Sequence, residues 1–183
     1  MIAKNRPFVI AIAAVSGGGK TTMVKQLNGK MKNTKALYFD EYNFNGPTDI
    51  VRWVENGPDY NAWDLSPLRR DIEGLLSEPL DYILLDYPFA YQNSQISSLI
   101  DFAFFIDTPL DIALARRMIR DFANQSNQEI LIEMENYVSK GRQGYLEMLK
   151  TIKPNSELVV DGMLPSDELA NVMSEIILNK FKR

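Results

Sequence analysis

A glycine-rich loop that follows an apolar run is the feature that most constrains this chain. Residues 14–22 read Ala-Val-Ser-Gly-Gly-Gly-Lys-Thr-Thr, and residues 8–15 are almost wholly apolar. Because glycines lack a Cβ, such a loop can adopt positive φ angles and bring several backbone N–H groups to one phosphate. A buried strand, this loop and a helix, in that order, form a site for a phosphate chain. The sequence therefore predicts a nucleotide site on an α/β fold.

The loop residues have separate expected roles in holding ATP and Mg²⁺. We expect the cation of Lys20 to reach the β- and γ-phosphates and the hydroxyl of Thr21 to coordinate Mg²⁺. The usual pattern G-x-x-x-x-G-K-[ST] has a glycine where this chain has Ala14. An alanine tolerates most of that turn, so we interpret the motif as a variant. The predicted phosphate-binding residues are Ser16, Gly17, Gly18, Gly19, Lys20, Thr21 and Thr22.

Two residue types are missing from the sequence, and their absence excludes several chemistries. The 183 residues include no His and no Cys. Thiolate metal sites, disulfides and Ser-His-Asp catalysis are therefore excluded, and any general acid or base must be Asp, Glu, Lys or Tyr. The length favours one domain, residues 1–183, with a single core.

Charge and hydropathy indicate where such a chain works and what it binds. The net charge of −4 argues against a nucleic-acid surface, which is usually basic. Lys4 and Arg6 before an apolar run outline a signal peptide, yet residues 8–15 lead into a phosphate loop and fit a buried strand better. No run approaches the ~18 apolar residues that span a bilayer. We expect a cytoplasmic protein with a small-molecule partner, and the sequence leaves its oligomeric state open, a homo-oligomer included.

Two acidic residues close predicted strands on the ligand side of the sheet. Residues 35–39 and 81–86 read as the second and third strands, so Asp40 and Asp86 stand at carboxyl ends, where ligands bind in open α/β sheets. We expect Asp40 to face the γ-phosphate and Asp86 to serve the Mg²⁺ shell together with Thr21. The alternative is that Asp40 caps a turn and that Asp86 is an exposed residue without function.

Aromatic residues are concentrated in the segment after the second strand. Seven of the nineteen aromatic residues lie between positions 38 and 63, and we predict less regular structure over residues 41–65. Such a cluster beside a phosphate site favours an acceptor pocket, although core packing beneath a long connection is the alternative. Asp40, Tyr42, Asp64 and Tyr87 are the predicted acceptor-binding residues.

Three arginines on one predicted helix form a candidate phosphate grip. Arg116, Arg117 and Arg120 lie at i, i+1 and i+4 after Pro109, which is placed at a helix start. This spacing suits bidentate contacts to phosphate, although a solvated helix face would look similar. Residues 116–128 end in a polar stretch, so we expect a lid that closes over the nucleotide, with Arg116 and Arg120 binding it and Arg117 acting in catalysis.

The remaining chain alternates between predicted helices and strands. We predict helices at residues 20–32, 68–76, 129–150 and 166–180, with a break near Gly141 and Gly144 in the third. Two further strands are predicted at 101–107 and 157–160, and the turn at 161–165 could hold an adenine ring. This alternation predicts a three-layer α/β fold with helices on both faces of a parallel sheet.

These pieces resemble the uridine kinase-like family of P-loop small-molecule kinases. The matching segments are the Gly-Gly-Gly-Lys-Thr-Thr loop and residues 39–42, 58–64 and 114–121, which together cover roughly positions 8–125. The resemblance implies that Asp40 is the catalytic base and that the three arginines belong to the lid. It also implies a five-stranded parallel sheet of order 2-3-1-4-5.

Two departures from the family leave the acceptor unidentified. Asp86-Tyr87 stands where the family usually has Glu-Gly, and the chain has neither the His nor the room for the hairpin that covers the pyrimidine in uridine kinases. Two functions follow from the sequence. The first is an ATP-dependent kinase that phosphorylates an acceptor hydroxyl, such as that of a nucleoside or riboside. The alternative is an ATP-binding regulator or slow ATPase without such an acceptor.

Overall fold

The protein contains a five-stranded sheet in which every strand runs in the same direction. The computed structural model describes residues 6–182. The strands lie in the order β2-β3-β1-β4-β5, and all four neighbouring pairs are parallel. Both the predicted fold class and the predicted strand order are confirmed. The strands are β1 (Phe8–Ala13), β2 (Thr34–Tyr38), β3 (Tyr82–Asp86), β4 (Phe102–Asp107) and β5 (Leu158–Asp161).

Helices cover both faces of this sheet. They are α1 (Lys20–Lys30), α2 (Ile50–Glu55), α3 (Ser66–Leu75), α4 (Ser94–Ser97), α5 (Leu110–Phe122), α6 (Asn127–Asn136), α7 (Arg142–Thr151) and α8 (Ser166–Lys180). Buried residues of α1 and α8 form one apolar cluster with the sheet, and those of α3, α4 and α7 form another on the opposite face. The predicted three layers are therefore present.

The central strand β1 shows why the sequence forms a sheet that is covered by helices on both faces. Val9 and Ala11 of β1 belong to the cluster with α3, whereas Ile10 and Ile12 belong to the cluster with α1. A parallel strand covered on both faces must be apolar at successive positions. The same arrangement brings all strand carboxyl ends to one edge, where Ile12 of β1 is in register with Asp86 of β3.

The segment after β2 contains one short helix. The prediction of less regular structure over residues 41–65 holds, and within this range lie α2 and the 3₁₀ turn Tyr60–Ala62. Asp49 caps this helix by accepting a hydrogen bond from the Arg52 backbone N–H at 3.0 Å. The Trp53 ring packs edge-on against Tyr60 at 5.0 Å. Such a short helix is stabilised by its cap and its packing, neither of which produces a periodic pattern.

The predicted helix over residues 129–150 consists of two helices joined by a π-helical turn. Ser126 and Glu129 form a capping box, so α6 begins at Asn127, before the predicted start. The turn Tyr137–Gly141 then leads directly into α7. Gly141 has a right-handed helical φ of −59°. The expected break at Gly141 and Gly144 is therefore an extra residue in a continuous helical path rather than an interruption.

Candidate active site

The glycine loop between β1 and α1 has the backbone shape that anion binding requires. Gly17 and Gly19 have positive φ angles of 80° and 99°. The Gly18 N–H donates to the Val15 carbonyl at 2.9 Å, which tightens the turn. No side chain among the described residues caps the start of α1, and its first turn contains no acidic residue. The first N–H groups of α1 are therefore available to an anion.

Helix α5 packs directly against this loop. A Cβ placed on Gly17 would lie 2.0 Å from the Ala113 carbonyl oxygen, so no other residue fits at this position without a shift. The glycine thus has two roles, because it permits the left-handed turn and the close approach of α5.

Lys20 and Asp86 form an ion pair at the centre of the sheet edge. The Lys20 ammonium donates a hydrogen bond to the Asp86 carboxylate. Asp86 is 2% exposed, and its strand neighbours in β3 are buried as well. A buried carboxylate needs a compensating charge, which Lys20 supplies. The chain thereby places its predicted phosphate-binding cation beside its predicted Mg²⁺ carboxylate.

A pocket of about 510 Å³ opens over the loop. Asp40 lies in the 3₁₀ turn Phe39–Glu41 that follows β2, and its exposed carboxylate lines the pocket. The structure therefore brings Asp40 together with the loop, because β2 and β1 end at the same edge of the sheet. The pocket lining is Val15, Ser16, Gly17, Gly19, Lys20, Thr21, Thr22, Lys25, Asp40, Arg120 and Asp121.

A second cleft of about 410 Å³ also borders the loop. Its walls include Arg116, Leu164 and Pro165, together with Gly18 and Gly19 of the loop. The Arg116 guanidinium donates to the Gly162 carbonyl at 3.3 Å. This is the turn at residues 161–165 that the sequence indicated as a place for a planar base.

Thr108 joins the loop to this turn and was missed by the sequence analysis. Its hydroxyl, which is buried, donates to the Gly18 carbonyl at 3.0 Å. A Cβ on Gly162 would lie 1.9 Å from the same hydroxyl oxygen. The position of Thr108 directly after β4, at the same sheet edge as the loop, is the signal that could have identified it.

The three predicted lid arginines point in three directions. Arg120 lines the pocket over the loop, where it donates to Asp121 at 2.6 Å, and Arg116 lines the second cleft. The Arg117 guanidinium instead donates to Glu133 of α6 and to the Tyr145 hydroxyl of α7. The hydrogen bond to Asp121 raises the pKa of Arg120, and the Asp40 carboxylate raises it further.

Three of the predicted acceptor-binding residues lie outside the lining of the pocket over the loop. The Tyr42 hydroxyl donates to Asp71 at 2.6 Å, and the Asp64 carboxylate accepts from the Ser66 backbone N–H at 3.1 Å. The Ser66 hydrogen bonds lower the pKa of Asp64. Tyr87 is fully buried, and burial raises the pKa of its hydroxyl. Only Asp40 of the four contributes to that pocket.

The aromatic residues beside Asp40 pack against one another. The Phe39 ring lies 5.4 Å from Phe89, 6.1 Å from Tyr87 and 6.2 Å from Trp63. Within residues 6–182, the buried Trp63 indole N–H and Tyr87 hydroxyl have no hydrogen-bond partner. Two buried polar groups without partners are an unusual cost in a packed cluster.

The residues present fit a magnesium ion bound together with phosphate. Thr21 lines the pocket, and Asp86 is paired with Lys20, which also lines it. Across the described part of the chain, no three acidic side chains converge into a metal site of their own. Phosphate oxygens would therefore supply much of the coordination, as is usual for Mg²⁺.

The fold has counterparts among solved kinase structures. The 2-3-1-4-5 parallel sheet with a glycine-rich loop after its first strand has the architecture of the P-loop kinases. A gluconokinase from Sinorhizobium meliloti 1021 matches it with a TM-score of 0.52 at 15% identity, over 96% of this chain and 98% of that one. No helix among residues 6–182 has the length and apolar character needed to cross a bilayer.

In sequence, the chain is similar to uridine kinases over most of its length. It is 22% identical to the uridine kinase of Clostridium botulinum strain Langeland, over 85% of this chain and 88% of that enzyme. It is 23% identical to the uridine kinase of Chlamydia pneumoniae, over 94% of this chain and 89% of that enzyme. No protein-family model matches the chain. The resemblance to uridine kinase-like P-loop kinases is confirmed.

Proposed function

We propose that this protein is an ATP-dependent kinase that transfers the γ-phosphoryl group of Mg-ATP to a hydroxyl of a small molecule. The observation that carries the proposal is the shared pocket of Lys20, Thr21 and Asp40. A phosphate-binding loop and an exposed carboxylate facing one cavity are what phosphoryl transfer to an alcohol requires. The similarity to uridine kinases supports the same activity.

The loop and α1 bind the triphosphate in this account. Backbone N–H groups of Gly17 to Thr22 and the Lys20 ammonium hold the phosphates, and Arg120 contacts them from α5. Thr21 and Asp86 would hold Mg²⁺, which supplies charge neutralisation on the transferred group when bound. Lys20 exchanges its contact with Asp86 for one with phosphate. The second cleft takes the adenine ring, with Arg116 beside it.

Asp40 is the proposed general base. Its carboxylate accepts the proton of the acceptor hydroxyl as the hydroxyl oxygen forms a bond to the γ-phosphorus. The bond between that phosphorus and the β,γ-bridging oxygen breaks, and ADP leaves. Because the transition state of such transfers is loose, most of the acceleration comes from positioning and electrostatics. Arg117 would contribute a further positive charge to the equatorial oxygens.

The acceptor is proposed to be a nucleoside or riboside. The uridine kinase relatives support this class, and the aromatic segment with Tyr42, Asp64 and Tyr87 is the proposed binding region. The tight packing of Phe39, Trp63 and Phe89 requires that this region opens to admit a sugar. Residues 1–183 act as one kinase domain in this proposal, with residues 116–128 as its lid.

The proposal is tested by ADP release from Mg-ATP in the presence of a panel of nucleosides, ribosides, vitamins and sugars. We expect at least one compound to stimulate release, and Asp40→Asn to lower the stimulated rate by about 100-fold while ATP still binds. Glu175→Gln, which makes the same carboxylate-to-amide change at an exposed site on α8, should keep the wild-type rate. ADP release that no compound alters would contradict the kinase assignment and favour a slow ATPase.

A further inference from the structure

The Cβ of Arg117 lies beside the phosphate loop, but its guanidinium does not line the pocket over the loop. A Cβ placed on Gly17 would lie 3.2 Å from the Arg117 Cβ, so the root of the side chain touches the loop. Arg120, one turn further along α5, does line the pocket. The position of Arg117 on the helix therefore suits a phosphate contact that its present rotamer does not make.

The guanidinium is instead held between two other helices. It donates to the Glu133 carboxylate of α6 and, at 3.2 Å, to the Tyr145 hydroxyl of α7. The side chains of Arg117 and Glu133 are only 19% and 21% exposed. Asp121 of α5 adds a second carboxylate, 3.8 Å from the Arg117 Nε. The Arg117 guanidinium is therefore paired with carboxylates from two helices.

A phosphate group can compete with a carboxylate for a guanidinium that is held in this way. Its fork of N–H donors matches phosphate and carboxylate oxygens alike. The partially buried contact is little weakened by salt, so the competition is between Glu133 and any anion that enters the pocket. Because the side chain is rooted at the loop, a change of its rotamers is the movement that would carry the guanidinium from one anion to the other.

We propose that Glu133 is a positioning residue that, with Tyr145, holds Arg117 away from the loop until the γ-phosphoryl group of a nucleoside triphosphate takes it over. The proposal rests on the proposed kinase function and adds a response to the γ-phosphate. A diphosphate leaves Arg117 on Glu133. A triphosphate draws the Arg117 guanidinium off Glu133, and the guanidinium returns to Glu133 once the γ-phosphoryl group has been transferred.

The consequence is that Glu133 lowers the affinity for triphosphate and not for diphosphate. Every triphosphate that recruits Arg117 must first separate it from Glu133, and this separation reduces the apparent affinity. A purely structural contact between α5 and α6 would act on both nucleotides equally. The difference between the two affinities therefore reports the proposed exchange.

The test compares binding of two Mg-nucleotides, the β,γ-imido analogue of ATP and ADP, to variants of the whole protein. We expect Glu133→Gln to tighten binding of the analogue by about 5-fold and to change ADP binding by less than about 2-fold. Glu135→Gln makes the same change two residues along α6, at an exposed position, and should leave both affinities unchanged. Tyr145→Phe keeps the ring that packs on Tyr137. It should also tighten binding of the analogue, by a smaller factor than Glu133→Gln does.

A double-mutant cycle shows whether the effect passes through Arg117. In an Arg117→Ala background, Glu133→Gln should no longer change binding of the analogue. Weaker analogue binding by Glu133→Gln, or equal changes for both nucleotides, would overturn the proposal while the kinase assignment stands. If Glu133→Gln does not fold, the affinities of Tyr145→Phe for the analogue and for ADP provide the same test. Wild-type protein that binds neither nucleotide would overturn both proposals.

Discussion

The Lys20 ammonium donates a hydrogen bond to the Asp86 carboxylate, across the edge where β1 and β3 end. Lys20 belongs to the phosphate loop and Asp86 closes β3, and both are largely buried, at 13% and 2% exposure of their side chains. The two groups that the proposed chemistry needs for phosphate and for Mg²⁺ thus neutralise each other in the free protein. Because of this pairing, neither the Lys20 ammonium nor the Asp86 carboxylate is buried without an opposite charge.

Loss of one partner of this pair should cost more stability than loss of both. Lys20→Met leaves the Asp86 carboxylate buried without compensation, so we expect the free energy of unfolding to fall by about 3 kcal/mol. Adding Asp86→Asn should restore most of that loss. Urea unfolding of the single and double variants measures both values, and a double variant as unstable as Lys20→Met would refute this account of the pair.

Glycines of the loop and of α1 should respond oppositely to alanine. Gly17→Ala places a Cβ 2.0 Å from the Ala113 carbonyl, so we expect a loss of about 2 kcal/mol or more and weaker Mg-ATP binding. Gly29 lies in α1 with nothing within 4 Å of its added Cβ, so Gly29→Ala should raise stability by about 0.5 kcal/mol. Thermal unfolding of both variants checks the contrast. Equal stability of the two variants would show that α5 does not need the glycine.

Two buried tyrosines of the aromatic cluster should respond oppositely to phenylalanine. Within residues 6–182 the Tyr87 hydroxyl has no partner, so Tyr87→Phe should raise stability by about 1 kcal/mol. The Tyr60 hydroxyl lies 2.7 Å from the Thr151 hydroxyl, and Tyr60→Phe should lower stability by a similar amount. Denaturant unfolding compares them directly, and a destabilised Tyr87→Phe would mean that its hydroxyl is hydrogen-bonded in solution.

Alkaline pH should weaken the fold through Tyr42 and Tyr91. Burial, followed by hydrogen bonds to Asp71 and Glu157, raises the pKa of both hydroxyls above the ordinary value of 10.0. A raised folded pKa gives stability that is fully present below the ordinary pKa and is lost as pH rises through the folded one. We therefore expect stability to fall above about pH 10, and less steeply in a Tyr42→Phe/Tyr91→Phe variant. If the wild-type protein and this variant lose stability identically with pH, the Tyr42 and Tyr91 hydroxyls do not cause the loss.

Sequence patterns were sufficient for the elements that carry strong local signals. The apolar run before the glycine loop became β1, and α8 spans Ser166–Lys180, the range that periodicity predicted. The strand order came from the family resemblance, and the structure has the same order. Asp40 could be placed near the loop because parallel strands end at one edge.

Features set by distant contacts could not be found in this way. The helix α2 depends on the Asp49 cap and on Trp53 packing against Tyr60, neither of which leaves a periodic pattern. The direction of Arg117 depends on Glu133, which lies 16 positions away on another helix. The predicted roles of the site residues stay predictions, and the experiments above address them.

The central claim is that the phosphoryl group passes from ATP to an alcohol, and phosphorus NMR of the products tests it most directly. Mg-ATP is incubated with the protein and with the compound that most stimulates ADP release. The account predicts a new phosphate-monoester signal that grows in step with ADP and is lost in Asp40→Asn. Inorganic phosphate as the sole partner of ADP would contradict it, because the protein would then transfer the group to water.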